Sequence, residues 1–115
     1  MSATTNNLLR GTLDLMILKS LSRGPQHGYA VSEWIGSATG GEILIEEGTL
    51  YPALHRLEKK GLIEAEWGLS EKNRRAKYYH LTRAGQRQLK RETKAWRQYA
   101  EAIARALGHG VPSSA

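Results

Sequence analysis

Residues 46–68 read EEGTLYPALHRLEKKGLIEAEWG, and after a polar loop residues 74–82 read RRAKYYHLT. The first half of this stretch is a helix. Proline has no backbone N–H to donate, so Pro52 belongs in a first helical turn. That places the helix start near Gly48 or Thr49, with Thr49 as the capping residue. At about 100° per residue, Leu50, Ala53, Leu54 and Leu57 share one face. Pro52, His55 and Lys59 point the opposite way, and Tyr51 and Arg56 lie on the flanks. Gly61 supplies the stop. Taken alone, the pattern fits an ordinary amphipathic surface helix.

The residues that follow change this reading. Ile63, Ala65 and Trp67 alternate with Glu64 and Glu66, the period-2 signature of a strand. Tyr79 and Leu81 alternate in the same way with Tyr78 and His80. Between the two runs lies GLSEKNRR, rich in turn formers and ending in two arginines. A helix followed by a two-stranded ribbon with a cationic tip has the shape of a winged helix-turn-helix. Such a ribbon can lie along a DNA backbone or enter a minor groove. Arg74, Arg75 and Lys77 are the expected phosphate or minor-groove contacts. Glu64 and Glu66 are expected to face away from the groove, because carboxylates turned toward DNA would repel it. A basic hairpin tip that is merely solvated is the plainer alternative.

The chain has 115 residues, enough for one domain, or one domain with an appended helix. It carries 17 Lys+Arg against 11 Asp+Glu, a net charge of +6, which favours polyanionic partners. There is no cysteine, and this excludes disulfides, thiol catalysis and thiolate-held metal sites. His27, His55, His80 and His109 have no ligand spacing, so no metal is expected. No Ser-His-Asp order, phosphate loop or compact carboxylate pair stands out, so no cofactor and no enzymatic activity are expected. No apolar run approaches the ~18 residues of a membrane span. MSATTNN lacks the pattern of a secretory signal, and a cytoplasmic location is expected.

Working outward, residues 1–7 are polar and expected to be flexible. Leu8 to Ser22 reads as a helix with Leu9, Leu13, Met16, Ile17 and Leu21 as its stripe, widened by Leu15 and Leu18. Arg23-Gly24-Pro25 ends it. A second helix runs from about Gly28 to Ser37, with Val31, Trp34 and Ile35 inward and His27 as a capping or structural residue. Glu42–Ile45 is expected to form a short strand pairing with the wing. Trp34 and Trp67 are read as core residues. The expected fold is α+β, mainly helical: a winged helix-turn-helix over residues 8–82, a long dimerisation helix over 83–108, and a flexible tail over 109–115.

Thr82 is a good N-cap for that last helix. Spanning ~26 residues at ~1.5 Å each, it is roughly 39 Å long, too long for so small a domain to cover. Leu89, Trp96 and Ile103 recur every seven residues, with Tyr99, Ala100 and Leu107 in neighbouring positions. Heptad spacing on a terminal helix points to a two-helix seam, hence a homodimer. Packing on the chain's own first helix is the other reading, and the two are compatible. Most of the helix's cations belong to a solvated outer face.

LLRGTLDLMILKSL, GPQHGYAV, EEGTLYPALHRLEKKGLIEAEW and RRAKYYHLTRAG together resemble the PadR family of bacterial transcriptional regulators, over about residues 8–107. The single C-terminal helix is similar to the compact branch of that family. The resemblance implies a homodimer that binds double-stranded DNA at a palindromic operator, usually as a repressor. It implies that Thr49, Tyr51, His55 and Arg56 lie on or beside the reading face, with Pro52 and Lys59 sharing that face by geometry. It implies that Arg74, Arg75 and Lys77 touch DNA, and that the last helix builds the dimer. Many members of the family respond to small aromatic molecules.

Several residues keep two readings. Tyr51 either sends its hydroxyl to a phosphate or is a half-buried structural tyrosine. Arg56 lies further round the helix, within reach of Glu58 or a phosphate. Trp96 anchors the dimer seam, or stacks on a flat apolar effector. The whole chain also has a second reading, as a winged-helix protein–protein interaction module that does not read DNA. The carboxylates scattered through residues 42–71 permit it.

Overall fold

The computed structural model describes residues 3–108, with side chains from Gly11 onward. The chain runs α1 (Ala3–Leu21), β1 (Gln26–His27), α2 (Gly28–Ala38), α3 (Glu47–Lys59), β2 (Ile63–Leu69), β3 (Arg75–Leu81) and α4 (Arg83–Ala106). The three strands form one antiparallel sheet in the order β1-β3-β2. This is the winged helix-turn-helix arrangement, extended by a long C-terminal helix. Met1, Ser2 and the tail 109–115 lie outside the described residues, as does the Leu9 side chain.

The core is one cluster drawn from the apolar faces of α1, α2, α3 and the two wing strands. Leu13, Ile17, Leu18 and Leu21 of α1 meet Val31 and Ile35 of α2, Leu50, Ala53, Leu54 and Leu57 of α3, and Ile63 and Tyr79 of the wing. Met16, Trp34 and Leu89 pack against its edge. The one buried polar side chain in this interior, Ser20, is satisfied: Gln26 Nε2 donates to its carbonyl at 2.6 Å and to its hydroxyl at 3.1 Å. A buried hydroxyl left without such a partner would cost about 1–3 kcal/mol.

Four expectations are corrected. α1 starts at Ala3 rather than Leu8, so the backbone of residues 3–7 is helical. Once the buried stripe has nucleated a helix, its extension through polar residues proceeds one residue at a time. The third strand is Gln26–His27, paired with Tyr79 and Tyr78, and not Glu42–Ile45, which has no ladder partner. α3 starts at Glu47 with Glu46 as its N-cap, so Thr49 is not the cap and Pro52 lies inside the helix. Trp67 is 59% exposed and is no core residue. Its parity along β2 is inward, but the strand has run past the core by that point.

The end of α3 and the start of α4 are built together. Gly61 takes a positive φ of 75°, its N–H donates to the Glu58 carbonyl, and the Leu62 N–H donates to the Leu57 carbonyl. This pair of bonds is a Schellman stop. Thr82 caps α4 by accepting from the Gly85 N–H at 3.0 Å, and its hydroxyl donates to the Gly61 carbonyl at 2.7 Å. Its own N–H donates to the Leu62 carbonyl at 3.1 Å. Gly85 sits so close that an added Cβ would lie 2.0 Å from the Leu62 carbonyl oxygen.

Gly85→Ala is therefore expected to destabilise the domain by about 3 kcal/mol or more, because backbone must move to admit one methyl group. Gly11→Ala is the control, since nothing lies within 4 Å of the added Cβ. It should be neutral, or stabilising by up to ~1 kcal/mol through helix propensity. Urea unfolding of the two variants beside the parent measures the difference.

Candidate nucleic-acid interface

α3 is held from three directions, and the remaining direction is its free face. Leu50, Ala53, Leu54 and Leu57 are buried beneath it. On one flank Arg56 Nη2 donates to Asp14 Oδ1 of α1 at 2.9 Å. On the other flank Glu58 faces Lys77 Nζ of β3 at 3.6 Å. Thr49, Tyr51, Pro52, His55 and Lys59 are left exposed. The free face thus carries a hydroxyl, a phenol, an imidazole and an ammonium, groups that donate to or accept from base edges and phosphates.

Two of the residues expected to touch DNA are placed otherwise. Arg56 is turned toward α1, and its Nε is out of solvent with no hydrogen-bond partner among the described residues. Its partner is Asp14, neither Glu58 nor a position on the free face. Lys77 is half-buried between Glu58 and the Tyr79 ring, its Nζ 5.6 Å from the ring centroid. Both cations brace the helix. Burial, then Glu58, then Tyr51 hold the Tyr79 phenol above its ordinary value of 10.0, so it stays a neutral strut beneath this flank.

The wing tip is a tight turn. The Asn73 N–H donates to the Ser70 carbonyl at 2.8 Å, and the Ser70 N–H donates to the Arg74 carbonyl at 2.7 Å. Asn73 takes a φ of 59°, a left-handed conformation that asparagine tolerates. The turn presents Arg74 and Arg75, both exposed, directly after it. Tyr78 stiffens the ribbon from its other face, where its hydroxyl donates to the Leu69 carbonyl at 3.2 Å and its ring meets His27 edge-on. Glu64 and Glu66 also lie on that other face, opposite His80 and Tyr78, and Glu64 pairs with His80 at 3.1 Å.

Between α3 and the wing lies a hollow lined by His27, Gly28, Tyr29, Tyr51, Lys77 and Tyr79, among others. His27 caps α2 by accepting the Ala30 N–H on Nδ1 at 3.2 Å, as expected of a capping residue. The Tyr51 ring rests directly on Gly28, where an added Cβ would meet it at 2.8 Å. Tyr51 is therefore both supported and 42% exposed, and its two readings are compatible. Tyr29, 60% exposed beside it, was not singled out from the sequence. The only signal was its place in the His27-Gly28-Tyr29 turn.

α4 carries the remaining candidates. Leu89 packs against the chain's own core. Further along, Trp96, Tyr99, Ile103 and Leu107 are exposed large apolar side chains, with Leu107 at 70%. Trp96 also borders a cleft of about 680 Å³ between α1, α2 and α4, together with Met16, Lys19, Trp34, Leu89 and Arg97. No helix among the described residues is long and apolar enough to cross a membrane.

Comparison with known proteins matches this geometry to a family. The model of the transcriptional regulator PadR-like family matches residues 17–91. The uncharacterized protein X of Lysinibacillus sphaericus is 36% identical over 98 residues, covering 85% of this chain and 90% of the relative. Among solved structures, a transcriptional regulator from Clostridium thermocellum is 34% identical with a TM-score of 0.78, covering 86% of this chain and 96% of that one. A PadR-like transcriptional regulator from Bacillus cereus is 30% identical with a TM-score of 0.76, covering 88% and 96%. The chain belongs to the PadR-like family of transcriptional regulators, and its fold is that of DNA-binding regulators.

The Tyr51–Gly28 contact leads to a separable prediction. Gly28→Ala pushes the far end of a flexible ring, which is cheap, so stability should hold within ~1 kcal/mol. On the reading in which the Tyr51 hydroxyl meets a phosphate, duplex affinity should nevertheless fall about as far as in Tyr51→Ala. Thermal unfolding and fluorescence anisotropy on the same preparations separate the two effects.

Proposed function

We propose that this protein is a dimeric, sequence-specific DNA-binding repressor. The observation that carries the reading is the free face of α3. Every other side of that helix is fastened down, and the exposed side bears Thr49, Tyr51, Pro52, His55 and Lys59 beside a wing tip with two exposed arginines. An α-helix fits a major groove, where such side chains reach base edges. Arg74 and Arg75 then lie over the flanking phosphates or minor groove, and Lys77 supports them from behind.

A single reading helix discriminates weakly, and two held at a fixed spacing select a site. The exposed Trp96, Tyr99, Ile103 and Leu107, with Ala100 among them, supply an apolar strip for a second copy of α4. A twofold dimer calls for a palindromic operator, with half-sites about 10 bp apart centre to centre or at a longer symmetric spacing. The cleft beside Trp96 is where a small aromatic effector would act, because it adjoins the seam that sets the spacing. A cytoplasmic location follows from a chromosomal target.

His55→Ala should reduce binding to the inverted repeat by roughly tenfold, within the ~1–3 kcal/mol of a base contact, while leaving nonspecific binding mostly intact. Arg74→Ala with Arg75→Ala should weaken every duplex and make the log–log salt dependence shallower by up to roughly 3 to 4, since the dimer loses four cations. Gel shifts with the DNA upstream of the protein's own gene, run across a salt series, read both. A folded protein that shifts no duplex at moderate salt would favour the interaction-module reading.

Ile103→Glu places a carboxylate in the middle of the α4 strip. It should convert the dimer to a monomer by light scattering, with far-UV circular dichroism retained. A variant that stays dimeric would move the interface away from α4.

A further inference from the structure

The α3-facing side of the wing holds an apolar surface that no described residue covers. Along β2 and β3 the register sets Ile63 opposite Leu81, Ala65 opposite Tyr79, Trp67 opposite Lys77 and Leu69 opposite Arg75, all on one face. At the base this face is core, since Ile63 and Tyr79 are buried. At mid-ribbon Lys77 reaches Glu58 of α3. Beyond that point α3 no longer covers it, and Trp67 and Leu69 stand 59% and 66% exposed. The Arg75 guanidinium lies over the Trp67 ring, 4.5 Å from its centroid.

An indole and a leucine side by side in solvent form a patch rather than a stray residue. The charge around the patch selects its occupant. Arg75 and Lys77 lie opposite Leu69 and Trp67 in register, Lys77 paired with Glu58; the adjoining turn adds Lys72 and Arg74 against Glu71, while Glu64 and Glu66 lie on the opposite face. A second copy of this chain would bring the same cations and be repelled. A polyanion with apolar walls would be attracted, and a DNA minor groove is one. Its deoxyribose walls accept apolar side chains. Its floor in A·T-rich DNA is narrow and strongly negative, which draws arginine.

We propose that the Trp67–Arg75 stack is a minor-groove element for the A·T-rich DNA that flanks each half-site. Trp67 is the positioning residue: it fixes the plane of the Arg75 guanidinium, leaving the N–H edges free to donate while less side-chain entropy is lost on binding. Trp67 and Leu69 then pack along the sugar wall. This deepens the DNA-binding reading above and rests on it.

The test uses the full-length protein and two labelled duplexes of equal length and identical centres, one ending in A-tracts and one in G·C-rich sequence. The parent should prefer the A-tract duplex. Trp67→Ala should bind it roughly fivefold more weakly or worse, lose the preference, and keep the parental salt slope because no charge has changed. Arg75→Ala should lose the same preference. The double variant should lose clearly less than the sum of the two single losses, because the two side chains are coupled. Acrylamide quenching covers the case of a poorly folded Trp67→Ala. Duplex should protect part of the parent's tryptophan emission, and the conservative Trp67→Phe should lack that protected part.

Parental binding by Trp67→Ala, additive losses in the double variant, or equal protection in the parent and Trp67→Phe would each overturn the proposal and leave DNA binding standing. A folded parent that binds neither duplex would overturn the DNA-binding reading, and this inference with it.

Discussion

One threonine hydroxyl joins the two ends of this molecule. Thr82 accepts the Gly85 N–H to cap α4 and donates to the Gly61 carbonyl that closes α3. Gly85 has no side chain to hold the two backbones apart, so α4 begins in direct contact with the turn that ends α3. The start of α4 is thereby fixed at the last turn of α3, and its packing along α1, with Leu89 against the core, sets its direction from there. In a protein whose long helix carries an exposed apolar strip and whose other helix carries an exposed polar face, these contacts fix the angle between the two surfaces.

Much of this was legible in the sequence because it depends on local periodicity. Leu50, Ala53, Leu54 and Leu57 mark the buried face of α3, and the burial follows that register. Gly61 and Thr82 announce a stop and a cap, and each performs that role through bonds that chain-local patterns anticipate. The winged helix-turn-helix class followed from these elements in their order.

What the sequence concealed was depth and partnership. Alternation placed Trp67 on the inward face of β2, and that parity is correct, but period-2 patterning does not say where the core ends. Arg56 reads as reaching Glu58 or a phosphate, and Lys77 as a DNA contact, because their actual carboxylate partners, Asp14 and Glu58, lie on other elements. The pairing of Gln26–His27 with β3 is a contact between residues some fifty positions apart, and two residues are too few to show a strand period. Pro52 suggested a first turn, whereas the helix accommodates it one turn further in and begins on glutamates. Acidic residues suit a helix N-terminus through its dipole, a signal that a proline rule overrode.

The net charge of +6 therefore says less about partners than the location of the charges does. Arg56 and Lys77 are engaged by Asp14 and Glu58, and these two ion pairs flank α3 like a pair of struts. Each is partly exposed and of modest worth on its own. Their geometric effect is larger, because together with the buried leucines they leave the helix no freedom to roll. A helix that could roll by one residue, about 100°, would present a different set of side chains. With the roll fixed, His55 and Lys59 point outward with no reordering of the helix. Among the described residues, the cations of this face and the wing tip with no side-chain carboxylate partner, Lys59, Lys72, Arg74 and Arg75, are the ones whose charge is available to a polyanion. Their number, rather than the chain's total, sets the salt dependence the protein can show.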